Sequence, residues 1–216
     1  MDVLVRRIAA SLKIDPKDAW KAAFSEVEMR QRARPQSYFI RRTMGRPRDV
    51  IAFAIHCRDV AIENQHDIVE TADIYDAESR YSQHLLAELS DELHKQLPEL
   101  ETLLDTLREL GRMSFTIADW VEASRRRSPN ISETDAKTQL ATLYDASVVG
   151  VARVGGSKGG SQQVFTFTAA APKPDFSGRI YVHPGLKKGL QLKEGQATDD
   201  DEGEESEAEH VGEPGA

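Results

Sequence analysis

Apolar residues recur at helical spacing from the start of the chain. Leu4, Ile8, Ala9 and Leu12 fall on one face of a helix over residues 2–14. Asp15 and Pro16 then supply an N-cap and a first-turn proline for a second helix, since aspartate accepts from free backbone N–H groups there and proline gives up a donor the first turn does not use. Trp20, Ala23, Phe24 and Val27 form its expected buried stripe. From Pro47 the spacing predicts a helix to about Asn64, with Asp49 at its positive end and Val50, Ile51, Ala54, Ile55 and Ala61 facing inward. A longer helix follows from about Thr71, with Ile74, Tyr81, Leu85, Leu89, Leu93 and Leu97 as its stripe. Pro98 restarts it toward Leu110, where Gly111 closes it.

The period then shortens. Phe115 precedes the N-cap candidate Thr116 and a short helix through Ile117, Trp120 and Val121. A polar turn, Arg125 to Asn130, separates it from a second helix that Ser132 and Asp135 begin in the manner of a capping box, with Ala136, Leu140, Leu143 and Tyr144 inward. Residues 148–154 and 164–168 read as strands around a glycine-rich loop, Gly155 to Gly160, and 179–183 as a last strand. Helix, short helix, second helix and hairpin is the order of a winged helix-turn-helix.

Charge changes this picture at two places. The chain has 216 residues and a net charge of -8, but nine of its carboxylates lie between Asp199 and Glu213 with no Lys or Arg among them. Without that stretch 28 basic residues face 27 acidic ones, so the body is nearly neutral and charge alone does not argue for nucleic acid. Beyond about Gln191 the composition predicts a disordered acidic tail. The second anomaly is Arg30 to Arg48, with seven arginines and no carboxylate, punctuated by Pro35, Gly45 and Pro47. The longest apolar run, Val50 to Ile55, is far short of the roughly 20 residues that cross a bilayer, so no membrane partner is expected. A lone cysteine, Cys57, on an apolar face reads as a core residue and fits a cytoplasmic protein, with no secretory leader.

Catalytic chemistry finds no support in the pattern. A phosphate-binding P-loop needs a strand, a GxxxxGK[ST] loop and a helix; the glycine loop around Lys158 has the wrong spacing and lies between strands, which makes it a wing. No magnesium-site carboxylate pair closes a hydrophobic strand. His84 with Glu88 one helical turn on gives two metal ligands, too few for a site. No catalytic residue, no metal site and no enzyme activity are therefore expected. The most informative string is Gly45-Arg46-Pro47-Arg48-Asp49: glycine permits close backbone approach, and two arginines project near a helix start, a combination suited to anions.

The stretch Tyr38–Ala61, with Ala77–Glu92, resembles the region after the ATPase core in bacterial P-loop ATPases related to AAA+ and STAND signalling ATPases. The resemblance implies a helical lid-like bundle followed by a winged helix-turn-helix with a small β-hairpin, in a mainly α chain. It divides the sequence into a lid-like segment at 1–70, a long helix plus winged-helix-like domain at 71–190, and the tail at 191–216. Gly45, Arg46 and Pro47 resemble the glycine-x-proline element that packs on bound nucleotide in STAND proteins, and Arg46 or Arg48 would be the sensor arginine. The chain departs from that family in lacking the P-loop core, which makes it a separated C-terminal piece or the product of a truncated gene. ATP and magnesium would be bound only with a core supplied from elsewhere.

Three functions follow as expectations. The first is a non-catalytic lid and winged-helix part that senses nucleotide on a P-loop ATPase core and relays its state to a partner. The second is a winged-helix DNA-binding module contacting phosphates through Arg125, Arg126, Arg127, Arg153 and Lys158. Its second helix offers Glu133, Asp135, Lys137, Thr138, Gln139, Thr142 and Asp145, a mixed surface that reads a phosphate backbone poorly. The third is a protein-interaction adaptor, which mixed charge suits equally well.

Overall fold

The computed structural model describes residues 1–95, 97–154, 161–167 and 173–193. The chain is mainly helical. Its first helices are α1 (Asp2–Leu12), α2 (Pro16–Ala23), α3 (Pro35–Arg41), α4 (Pro47–Glu63) and α5 (Thr71–Leu93). Then come α6 (Leu100–Leu110), β1 (Ser114–Phe115), α7 (Ile117–Arg127), α8 (Glu133–Asp145), β2 (Val149–Val154), β3 (Ser161–Val164) and β4 (Ile180–Val182). The glycine loop with Lys158, the end of the strand expected to reach Thr168, and the acidic tail from residue 194 lie outside the described residues.

Local chemistry places most helix ends where the sequence puts them. The Asp15 carboxylate accepts from the Lys17 backbone N–H ahead of Pro16. Thr116 and Asp119 form a reciprocal capping box, Ser132 accepts from the Asp135 N–H, and Gly111 closes α6 at φ 68°. Glu70 and Asp73 form a second reciprocal box at the start of α5, which the sequence reading does not anticipate.

Four expectations need correction. First, Val27 is 66% exposed: α2 stops at Ala23, and Phe24 takes an extended conformation to form a parallel bridge with Val69. Second, the inward face of α4 keeps Val50, Ala54, Cys57 and Ala61 as expected but is shifted toward Phe53 and Val60, which are buried, and away from Ile55, which is exposed. Third, the arginine-rich stretch contains a helix, α3, started by Pro35 and held by buried Tyr38 and Phe39. Fourth, Arg125, Arg126 and Arg127 form the last turn of α7 and not a loop, where cations meet the negative end of the helix.

The core is one continuous cluster running from Leu4 to Leu192. Within the helical part an aromatic column crosses four elements. Trp20 stacks on Phe24 at 4.3 Å, Phe24 meets Phe39 edge-on at 5.9 Å, Phe39 stacks on Phe53 at 4.3 Å, and Phe53 on Tyr81 at 4.5 Å. Each such pair adds about 0.5–1.5 kcal/mol beyond its burial. Trp120 is fully buried, and its indole N–H donates to the Ala136 carbonyl at 2.9 Å, fastening α7 to α8.

The sheet has the order β1-β4-β2-β3, antiparallel throughout. β3 therefore lies on the outer edge and β4 fills the place between β1 and β2. The hairpin strand ends at Val164, where it was expected to begin. Phe165 crosses over Gly150, at which an added Cβ would come within 2.8 Å of the ring. A turn then carries Phe167 toward the helical part. The described body extends to Lys193, which pairs with Gly111 and Met113, past the expected start of the tail at Gln191.

Candidate functional site

The Gly45–Asp49 segment forms the entry to α4. Gly45 adopts φ 70°, in the left-handed region that favours glycine, and so turns the chain out of the α3 end into the first turn of α4. Asp49 is fully buried and closes that turn: Oδ2 accepts from the Met44 backbone N–H and from Arg46 Nε, each at 3.1 Å. Its Oδ1 has no hydrogen bond and lies 3.6 Å from Arg48 Nε, an ion contact only.

Both arginines of the segment are engaged within the chain. Arg46 Nη1 donates to Glu92 Oε2 at 2.8 Å, and Arg48 Nη2 donates to Glu92 Oε1, so one carboxylate near the end of α5 receives both guanidinium groups. Glu88 lies 3.8 Å from Arg48 and 3.5 Å from His84. Arg46 and Arg48 thus tie the start of α4 to the end of α5, and neither guanidinium projects uncommitted toward a separate phosphate. The sequence reading missed Glu88 and Glu92 in this role because a contact 44 residues distant leaves no local signature.

A second set of contacts reaches the same turn from the sheet side. An added Cβ at Gly45 would sit 3.0 Å from the Phe167 ring, so the glycine also permits this approach. Phe165 and Phe167 lie parallel at 5.7 Å, and both make T-shaped contacts with the ring of His183, at 5.0 and 5.6 Å. His183 is buried, hydrogen-bonded to the backbone of Thr43, and its Nδ1 accepts from the Gly185 N–H at 3.1 Å. Burial pushes its imidazole down to about 3, with the Arg42 and Arg46 charges acting in the same direction, so the ring is neutral. A 3-10 turn at Pro184–Leu186 then passes so close to the end of α3 that a Cβ at Gly185 would meet the Arg42 carbonyl at 2.2 Å. Farther on, the Gly189 N–H donates to Ser82 Oγ on α5 at 2.8 Å.

Beneath this joint lies a buried polar triad. Tyr38 Oη donates to Glu78 Oε1, which also receives Arg42 Nε, and the Arg42 guanidinium lies 3.3 Å from the centre of the Tyr38 ring. Burial, together with the Glu78 hydrogen bond, raises the Tyr38 phenol far above its ordinary range and keeps it a donor. The space between Arg42, Glu78, Tyr81, Pro184, Gly185 and Lys188 leaves no room for a water molecule. The triad fastens the end of α3 to α5, with Pro184, Gly185 and Lys188 packed beside it.

The expected nucleic-acid residues have a different fate. Arg127 contacts Glu109 at 3.3 Å and Asp105 at 3.6 Å, and Arg126 contacts Glu122 at 3.1 Å and Glu109 at 3.5 Å. These carboxylates, three on α7 and α6, offset much of the positive charge at the end of α7. Arg125 is exposed there, and Arg153 belongs to β2. His84 pairs with Glu88, and no group of three His, Cys, Asp or Glu side chains suited to a metal ion occurs among the described residues. No helix among the described residues is long and apolar enough to cross a membrane.

No curated protein and no solved structure matches the chain. Residues 1–90, which span α1 to α4 and most of α5 and include the whole Gly45–Asp49 turn, match the family model of the FunZ-associated C-terminal helical domain, so this part of the chain resembles a helical accessory region.

Proposed function

We propose that the chain is a non-catalytic accessory region that relays the state of a partner P-loop ATPase core through a rigid joint between its helical part and its winged-helix-like sheet module. The observation that carries this reading is the double engagement of the Gly45–Asp49 turn. The turn is clamped to α5 by Glu92 on one side and contacted by Phe167 on the other. A displacement of either part therefore loads the other, because packed elements transmit strain. Arg46 and Arg48 act first as clamp residues in this reading; to meet a phosphate, either must exchange Glu92 for it. Such an exchange is the event that would report nucleotide on the partner. The resemblance of residues 1–90 to a C-terminal helical domain supports an accessory role.

The test is ATP turnover measured as phosphate release. The full chain alone is expected to release none above buffer. A P-loop ATPase that co-purifies with it is expected to change turnover when the chain is added, and Phe167→Ala, which cuts the joint on its sheet side, to reduce that effect by about threefold or more. Turnover by the chain alone, or equal effects of both forms, would count against the reading. The partly neutralised arginines of α7 and the mixed surface of α8 give duplex DNA a weaker claim as partner.

A further inference from the structure

Phe24 and Val69 form a parallel bridge, closed by the Ser25 N–H donating to the Val69 carbonyl and the Val69 N–H donating to the Ala23 carbonyl, each at 2.8 Å. Immediately beyond it the two chains part. α5 begins at Thr71, so the second segment turns into helical hydrogen bonding; Thr71 Oγ1 reaches back to the Val27 carbonyl at 3.3 Å, and the two segments meet again where the Arg30 N–H donates to Tyr75 Oη. The divergence opens a groove of about 300 Å³ lined by Ser25, Val27, Ile68, Glu70, Thr71 and Ala72. Val27 is 66% exposed and Ile68 36%, two large aliphatic side chains left facing solvent in one concave place. Four exposed carboxylates, Glu26, Glu28, Asp67 and Glu70, belong to the two stretches that form the groove, and neither 25–28 nor 67–72 contains a lysine or arginine.

We infer that this groove docks an extended segment of a partner protein in which aliphatic side chains alternate with lysine or arginine. The aliphatic groups cover Val27 and Ile68, and the cations meet the carboxylates of the rim. An extended backbone suits the site because 25–28 lies between Phe24 and Met29, both extended, in a gap left by the failure of strand pairing. The charge complementarity selects a basic segment and disfavours an acidic one. This inference goes beyond the ATPase reading and does not depend on it.

The experiment uses the full chain and a fluorescein-labelled acetyl-Lys-Ile-Lys-Val-Arg peptide, followed by fluorescence anisotropy at low salt, with the same peptide carrying glutamate at its three basic positions as control. Saturable binding of the basic peptide alone is expected. The double variant Val27→Ser/Ile68→Ser, which leaves every charge in place and alters only exposed side chains, is expected to weaken it about tenfold. Glu26→Gln/Glu28→Gln is expected to weaken it as well and to lessen its salt dependence. Binding unchanged by Val27→Ser/Ile68→Ser would locate the peptide elsewhere, the acidic stretch 199–213 included, and overturn the inference. Absence of binding to the wild-type chain would overturn it equally.

Discussion

Asp49 has no exposure, yet it holds together a backbone amide and two guanidinium groups. Asn in its place keeps the shape but loses the charge, leaving the Arg46 Nε–H and the Met44 N–H with a weaker acceptor. Asp49→Asn is expected to destabilise the chain by about 2 kcal/mol, read as a shift of the urea midpoint. Gly185→Ala is expected to cost about 3 kcal/mol, because its methyl group would lie on the Arg42 carbonyl. His183 makes the turn sensitive to acid. The folded chain holds the imidazole at about 3, whereas an unfolded chain takes up its proton near the ordinary value of 6.5. Stability from this group is thus complete above pH 6.5 and falls as pH drops toward 3, by at most about 1.4 kcal/mol per unit. His66 acts in the opposite sense, since its bond to Asp73 raises its affinity for a proton. The group is therefore isolated by difference: His183→Asn, which keeps an acceptor for the Gly185 N–H, is expected to flatten the acid side of the melting-temperature profile between pH 6.5 and 5. An unaltered slope would remove His183 from the account.

At the scale of elements, capping chemistry was the readable part. Thr116→Ala removes one half of the capping box that starts α7 and is expected to cost about 1 kcal/mol in thermal melting, with Asp119 losing its hydroxyl donor. Asp15, Ser132 and Gly111 show the same legibility, because each cap depends on residues within four positions of itself. Helix faces were read less well. Ile55 looks like core from its spacing, but α4 turns Phe53 and Val60 inward instead, and Phe53 stacks between Phe39 and Tyr81. Choosing between two apolar stripes on one helix takes knowledge of its neighbours. α3 was hidden by its arginines, since a seven-residue helix held by two aromatic side chains carries too short a period to detect. The sheet order was equally illegible: β4 separates β1 from β2 by pairing Ile180 with both Phe115 and Val151, contacts between residues far apart in sequence.

For the whole molecule, the string Gly45 to Asp49 stands out by its composition, but its surroundings are not visible in it. Seven arginines without a carboxylate in one stretch look like an anion site only while the chain is linear. Folded, Arg42, Arg46 and Arg48 meet Glu78, Glu88 and Glu92 of α5, so the charge of these three is met internally, while Arg30, Arg32, Arg34 and Arg41 are exposed. The molecule is then a helical part and a sheet module sharing one core, with the turn as the place where both touch. Hydrogen exchange on Phe167→Ala, compared with the wild-type chain and read peptide by peptide, tests that claim most directly. The account predicts faster exchange at the Met44 amide and the first turn of α4, across the joint from the substituted ring; faster exchange confined to β3 and its flanks would contradict it.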